Sequence, residues 1–248
     1  MHEPLVMYAI YVSLGLAALA ALLARGARPW AWAAGTGAAL AGWLALAVGS
    51  WHLGRPPLAG LGETLPAMAG CLALLGLSVL RRREEALLAQ LLWGSVAGLL
   101  LLDLILPFPP PLDWFLFDSP WVQAFFLCRP GAVVLFWAAA LAAIAAGLAR
   151  GGPAAGGMFG HARRWLVAGS AVFLCGEFAG FYWCYLWLGD YWRWGRNFLA
   201  SLALFLLATL ALHLPPRWAA HPVTRAACQA LPGVASLAFN LWFQWGEA

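Results

Sequence analysis

Long apolar stretches, broken by short groups of arginine, proline and glycine, run through the whole chain. They fall near residues 5–24, 31–50, 65–80, 86–106, 130–149, 165–184, 197–213 and 231–245. A bilayer core takes roughly 20 apolar residues per crossing helix. The pattern therefore predicts an all-α fold, a polytopic transmembrane helical bundle of about eight spans. The third, seventh and eighth runs are the shortest, and the last also fits a tilted or partly interfacial helix.

Composition leads to the same place. Apolar residues make up 64% of the 248 and charged residues 10%, with a mean hydropathy of +0.80. A soluble domain holds about 45–50% apolar and about 25% charged residues. Such a chain cannot cover itself with polar groups in water, and in lipid it has no need to. Residues 1–248 read as one integral membrane domain. The first run is long enough to span, and no A-x-A site follows it, so it is expected to stay as a helix rather than leave as a signal peptide.

Charge adds orientation. All 14 cationic side chains are Arg. The connectors after the first, third, fifth and seventh runs hold ten of them: Arg25, Arg28, Arg81, Arg82, Arg83, Arg150, Arg163, Arg164, Arg217 and Arg225. The alternate connectors hold four: Arg55, Arg129, Arg193 and Arg196. The positive-inside rule then places the first set in the cytoplasm and both termini outside, N-out and C-out, in a bacterial-type inner membrane. A net charge of +4 is too small to point to nucleic acid. The five cysteines, Cys71, Cys128, Cys175, Cys184 and Cys228, form no C-x-x-C and sit mostly in apolar runs. There they act as small hydrophobes rather than as redox or zinc centres.

Two outer segments are unusually aromatic. Residues 107–121 (PFPPPLDWFLFDSPW) combine prolines, two Asp and aromatics. Residues 183–196 (WCYLWLGDYWRWGR) carry Trp183, Trp187, Trp192, Trp194, Tyr185 and Tyr191, with Tyr182 beside them. An aromatic belt at the headgroups accounts for the first segment and for the enrichment in the second. The density of the second, with Gly180, Gly189 and Gly195 around it, also fits a platform for a flat apolar ligand such as a porphyrin or a quinone.

The stretch GFYWCYLWLGDYWRWGRNFLASLALFLLATLALHL, Gly180–Leu214, resembles the tryptophan-rich segment of the cytochrome c assembly proteins of the CcsA/CcmC type. That segment reads roughly G-x-x-W, W-G-x-Y-W-x-W-D-P-x-E, then a helix ending in Y-L-H. Without a gap, Gly180, Trp183, Gly189, Tyr191, Trp192, Trp194 and His213 fall in register. HLGRPPLAGLGETL (His52–Leu65) resembles the family's H-x-P-L-S-N-L-Y-E-S-L through Pro57, Leu58, Leu61, Glu63 and Leu65. DSPWVQAFF, from Asp118, resembles Q-S-x-W-L-x-x-H through Ser119 and Trp121. The resemblance implies haem handling at the outer face for attachment to an apocytochrome c. The aromatic loop serves as platform, outer histidines ligate iron, and further histidines hold haem within the membrane.

The chain departs from this pattern at the outer ligands. Phe125 stands where the first outer His falls, and the stretch from Asn240 to Glu247 carries no His for the second. Gly195, Phe198 and Leu188 replace the family Asp, Glu and Trp. A neutral imidazole is the usual protein ligand to haem iron, and Phe cannot substitute. No iron ligation at the outer platform by this chain alone is expected, and no catalytic activity of its own.

His213 matches a family membrane histidine and reads as an axial ligand to a b-type haem, or as an imidazole at a helix C-terminus suited to the dipole. His161 and His221 are read as solvated loop residues, and His52 as lying outside. Glu177 and Asp103, ionisable groups in apolar runs, read as proton carriers at a quinol site, as partners of Arg129, Arg193 or Arg196, or as structural pairs. Glu63 is expected to fix its loop by hydrogen bonding. RRREE, Arg81–Glu85, reads as a solvated inner loop. The cofactor-binding set is thus His213, Trp183, Tyr191, Trp192 and Trp194, with His213 toward haem iron. The cofactors implied are haem b, a quinone, or none. The partners implied are lipid, other membrane subunits and a periplasmic c-type cytochrome. A second function fits the lost ligands: a non-catalytic anchor or quinone-interacting subunit of a multi-subunit respiratory electron-transfer complex.

Overall fold

The computed structural model describes residues 4–56, 60–80, 83–105, 119–149, 152–190 and 195–245. Its helices are α1 (Pro4–Leu23), α2 (Arg28–Leu53), α3 (Leu61–Leu80), α4 (Ala86–Ile105), α5 (Pro120–Leu148), α6 (Pro153–Leu188), α7 (Arg196–Leu212), α8 (Pro216–Ala219) and α9 (Pro222–Trp245), with a 3-10 turn at Arg83–Glu85. Among the described residues there is no strand. Among the described residues six helices, α1 to α6, are long and apolar enough to cross a membrane. The apolar stretch of α7 is shorter, from Phe198 to Leu212. The chain is a polytopic helical membrane protein, as its apolar runs predict.

Helix ends follow from local chemistry. Proline occupies the first turn of α2, α5 and α6, where its missing N–H removes no hydrogen bond. Gly54 (φ 64°) and Gly189 (φ 69°) end α2 and α6 in the left-handed conformation. Three helices start well before their apolar runs. α5 begins at Pro120 rather than 130, because Pro130 lies inside it rather than at its start. Internal prolines are tolerated in membrane helices where neighbouring groups satisfy the freed carbonyl. α6 begins at Pro153 rather than 165, so His161, Arg163 and Arg164 are helical and not in a loop. The buried series Ala155, Met158, Phe159, Ala162 and Leu166 explains this, since its spacing of three and four marks one packed helix face. α9 begins at Pro222 rather than 231 and carries Pro232 internally. At its other end α6 runs on to Leu188, so the first six residues of the expected 183–196 loop are helix.

The chain forms two compact units, Met1–Pro110 and Pro111–Ala248. In the first, α1 packs on α2, α2 on α3, α3 on α4 and α4 on α1. In the second, α5 packs on α6, α6 on α7, α7 on α9 and α9 on α5. Each is a closed ring of four helices in chain order, with the short α8 added against α9.

Small residues bring the helices together, as expected where lipid supplies no hydrophobic drive to helix association. Trp93 is fully buried in the first unit. Cβ atoms at Gly35 and Gly76 would lie 2.7 and 3.0 Å from its ring, so glycine is what admits the indole. Ser13 donates to the Ala38 carbonyl across α1 and α2 at 2.9 Å. In the second unit Gly233 of α9 meets the Phe136 carbonyl and the Ala140 methyl of α5 so closely that any Cβ would collide. A core of Ala132, Phe136, Ala139, Leu166, Phe173, Leu204, Ala208 and Ala211 joins α5, α6 and α7.

Candidate functional site

The tryptophan-rich segment begins in the last turns of α6, and α5 holds it. Antiparallel packing of these two helices is laid out by residue pairs: Phe136 with Gly169, Val172 with Gly131, Cys128 with Gly176 and Phe125 with Gly180. The series ends with Trp121 edge-on to Tyr182, ring centroids 4.7 Å apart. Phe125 thus lies on the first glycine of the tryptophan-rich motif. A Cβ on Gly180 would stand 2.8 Å from the Phe125 ring. Phe126 sits edge-on to Phe125 at 5.4 Å, and the Arg129 guanidinium carbon lies 5.3 Å from the Phe125 centroid. That spacing suits a cation–π contact.

One turn below Gly180, Ser201 of α7 donates its hydroxyl to Glu177 Oε1 of α6 at 3.0 Å. Arg129 lies within electrostatic reach of the same carboxylate. Glu177, Arg129 and Ser201 therefore form a polar group shared by α5, α6 and α7, beneath the aromatic cluster. The sequence indicated Glu177 and Arg129 but not Ser201; one hydroxyl in an apolar helix carries too little signal.

Of the five cofactor-binding candidates, the described residues include two. Trp183 is half-buried in α6, and its indole Nε1 has no hydrogen-bond partner among the described residues. His213 ends α7 with its side chain exposed. Its backbone N–H donates to the Thr209 and Leu210 carbonyls, so the cap is made by the backbone and not by the imidazole. Tyr191, Trp192 and Trp194 lie outside the described residues, as do Arg193, Glu247 and most of the 107–121 segment. The structure does not bring Trp183 and His213 together. α7 has 17 residues and is about 25 Å long, and they lie toward opposite ends of it.

The other histidines are dispersed. His52 is exposed in the last turn of α2. His161 packs on Trp165 at 5.1 Å, and its Nδ1 is 3.4 Å from Arg164. His221 is exposed at the start of α9. No group of three or more His, Cys, Asp or Glu suited to a metal ion occurs among the described residues. Asp103 lies in the last turn of α4, half-buried.

In the first unit, Glu63 has the hydrogen-bonding role expected of it, with a partner that sequence reasoning missed. Arg55 meets it in a bidentate pair, 2.7 Å on each arm. The two side chains are only 8% and 7% exposed. Arg55 also donates to the Pro56 carbonyl at 2.9 Å. The pair ties the end of α2 to the first turn of α3. Arg55 counted in the sequence only as a charge that sets topology.

No protein-family model and no curated protein sequence matches the chain. Among solved structures, its fold is similar to that of "Cytochrome c Heme Lyase CcmF", with a TM-score of 0.65 and 23% sequence identity. The match covers 97% of this chain and 49% of that one, so the chain spans about half the length of the structure it matches. The likeness is one of fold. The CcsA/CcmC assignment made from the motifs does not follow from it.

Proposed function

We propose that this chain is a divergent cytochrome c assembly-type membrane protein that handles haem or docks a c-type cytochrome, without catalysing ligation itself. The observation that carries the proposal is the fold, similar over nearly the whole chain to a cytochrome c haem lyase. The register of Gly180, Trp183, Gly189 and His213 with a haem-handling motif supports it from the sequence. On this reading the end of the second unit that holds Trp121, Phe125, Gly180 and Trp183 is the outer aromatic platform, completed by Tyr191, Trp192 and Trp194. Its partners are other membrane subunits and a periplasmic c-type cytochrome, in a bacterial-type inner membrane with both termini outside.

The donor set fits one role for haem better than another. Phe125 fills the place of an outer ligand with a ring packed on Gly180, which leaves no donor atom there. His213 is exposed at the far end of α7, and its imidazole makes no part of the helix cap. A haem held by this chain would be b-type, with the His213 imidazole as the group that would hold it. Covalent haem would need C-x-x-C-H, which the sequence lacks. When bound, the haem supplies the redox or cargo chemistry. The residues of this chain supply an imidazole at one end of α7 and aromatic surface at the other.

Haemin titration in detergent micelles tests the assignment. Wild-type protein is expected to develop a Soret band that saturates, and His213→Ala to lose it while keeping helicity and yield. Equal titration by both proteins would remove His213 from the site. The anchor-subunit reading has one observation in its favour, the Phe125 ring in place of a ligand. It predicts copurification of a respiratory complex with no haem assignable to this chain.

A further inference from the structure

Four arginines lie in the helix ends and turns where α6 begins and α7 stops. Arg163 and Arg164 are exposed on α6, and Arg217 is exposed on α8. The Arg225 guanidinium lies 4.2 Å over the Phe159 ring, which joins the start of α9 to the start of α6. His161, His213 and His221 lie in the same helix ends and turns. Within the second unit the neighbouring sequence offers no acid to offset this charge. There is no Asp or Glu between Asp118 and Glu177, nor between Asp190 and Glu247. A patch of one sign calls for a counter-anion.

The apolar surface next to it says which kind. Arg163, Val167, Ala171, Leu174 and Phe178 are all exposed, and their spacing of three and four places them in one stripe along α6. The stripe is cationic at its head and apolar below. From Val167 to Phe178 it rises about 16 Å, close to half of a roughly 30 Å hydrocarbon core. α7 likewise leaves Phe205, Leu206 and Leu210 exposed, and the chain then turns through α8, where Trp218 is 40% exposed beside Arg217. Tryptophan at that level is typical of a headgroup boundary.

We propose that this end of the second unit is a binding surface for an anionic phospholipid. The phosphate meets Arg163, Arg164 and Arg217, and an acyl chain lies along the stripe from Val167 to Phe178. A soluble phosphate matches the charge but leaves the apolar stripe unused. The inference does not depend on haem.

The test uses the full chain, stripped of lipid in a neutral detergent and melted with three additives at equal concentration: phosphatidylglycerol, phosphatidylcholine with the same acyl chains, and inorganic phosphate. Phosphatidylglycerol is expected to raise Tm, and the other two to leave it unchanged. At 1 M NaCl, where the screening length is about 3 Å, most of the rise should vanish. In R163Q/R164Q/R217Q each lost guanidinium should weaken phosphatidylglycerol binding about fivefold. Should that variant fail to fold, the wild-type arms decide alone. An equal rise with phosphatidylcholine, a rise with inorganic phosphate, a rise that survives high salt, or no rise at all overturns the proposal.

Discussion

Two residue contacts fix the helix junctions next to the motifs. The first is Phe125 on Gly180, where a Cβ would stand 2.8 Å from the ring. Overpacking a fitted helix interface costs about 1–3 kcal/mol, so Gly180→Val is expected to lower the melting temperature in detergent clearly. Phe125→Ala should restore part of the loss, because the two side chains are in direct contact and coupled. Additive effects in that double-mutant cycle would contradict the contact. The second is the Arg55–Glu63 pair, whose side chains are 8% and 7% exposed. Removing one partner of a buried pair leaves an uncompensated charge and costs about 3–5 kcal/mol. Arg55→Met is therefore expected to destabilise strongly, and Arg55→Met with Glu63→Leu to recover most of the loss. Equal stability of the single and double variants, read by thermal melting, would count against the pair. Glu63 was legible in the sequence because it matched a motif. Arg55 was not, because a charge in a sequence does not show which carboxylate it faces.

At the scale of elements, the apolar runs gave the number and order of the long helices but misplaced several ends. Hydropathy marks where a helix meets lipid, whereas a helix continues wherever one face stays packed. α6 has 36 residues, about 54 Å in length, well beyond a hydrocarbon core of about 30 Å. Its first three turns are packed through Ala155, Met158, Phe159 and Ala162 and through the Arg225–Phe159 contact. The amides of residues 156–162 are therefore expected to exchange slowly with deuterium in detergent. Exchange at the rate of an unstructured loop would restore the loop reading of His161. Pro130 marks an expected start in the same way, yet it lies inside α5, which begins ten residues earlier at Pro120. The end of α7 at His213 was placed correctly, because the polar and proline residues that follow Leu212 stop the helix.

At the scale of the molecule, composition settled the membrane class. The pairing of eight longer helices into two rings of four was not readable, because apolar runs say nothing of which helix meets which. The fold likeness to a cytochrome c haem lyase comes at 23% identity and is one of fold. The site was only partly legible. Gly180, Trp183 and His213 were named from the sequence, but the sequence could not show that an α7 helix separates His213 from the Trp183 end. That separation implies that the Trp183 end of α6 and His213 cannot meet at one iron. The central claim, that this chain handles haem, is tested most directly by the absorption spectrum and pyridine haemochrome of the protein purified from its native membrane with its partners attached. A b-type haemochrome is expected, with a Soret intensity that falls in His213→Ala while the partners remain bound. A wild-type preparation with its partners and no haem assignable to this chain would contradict it.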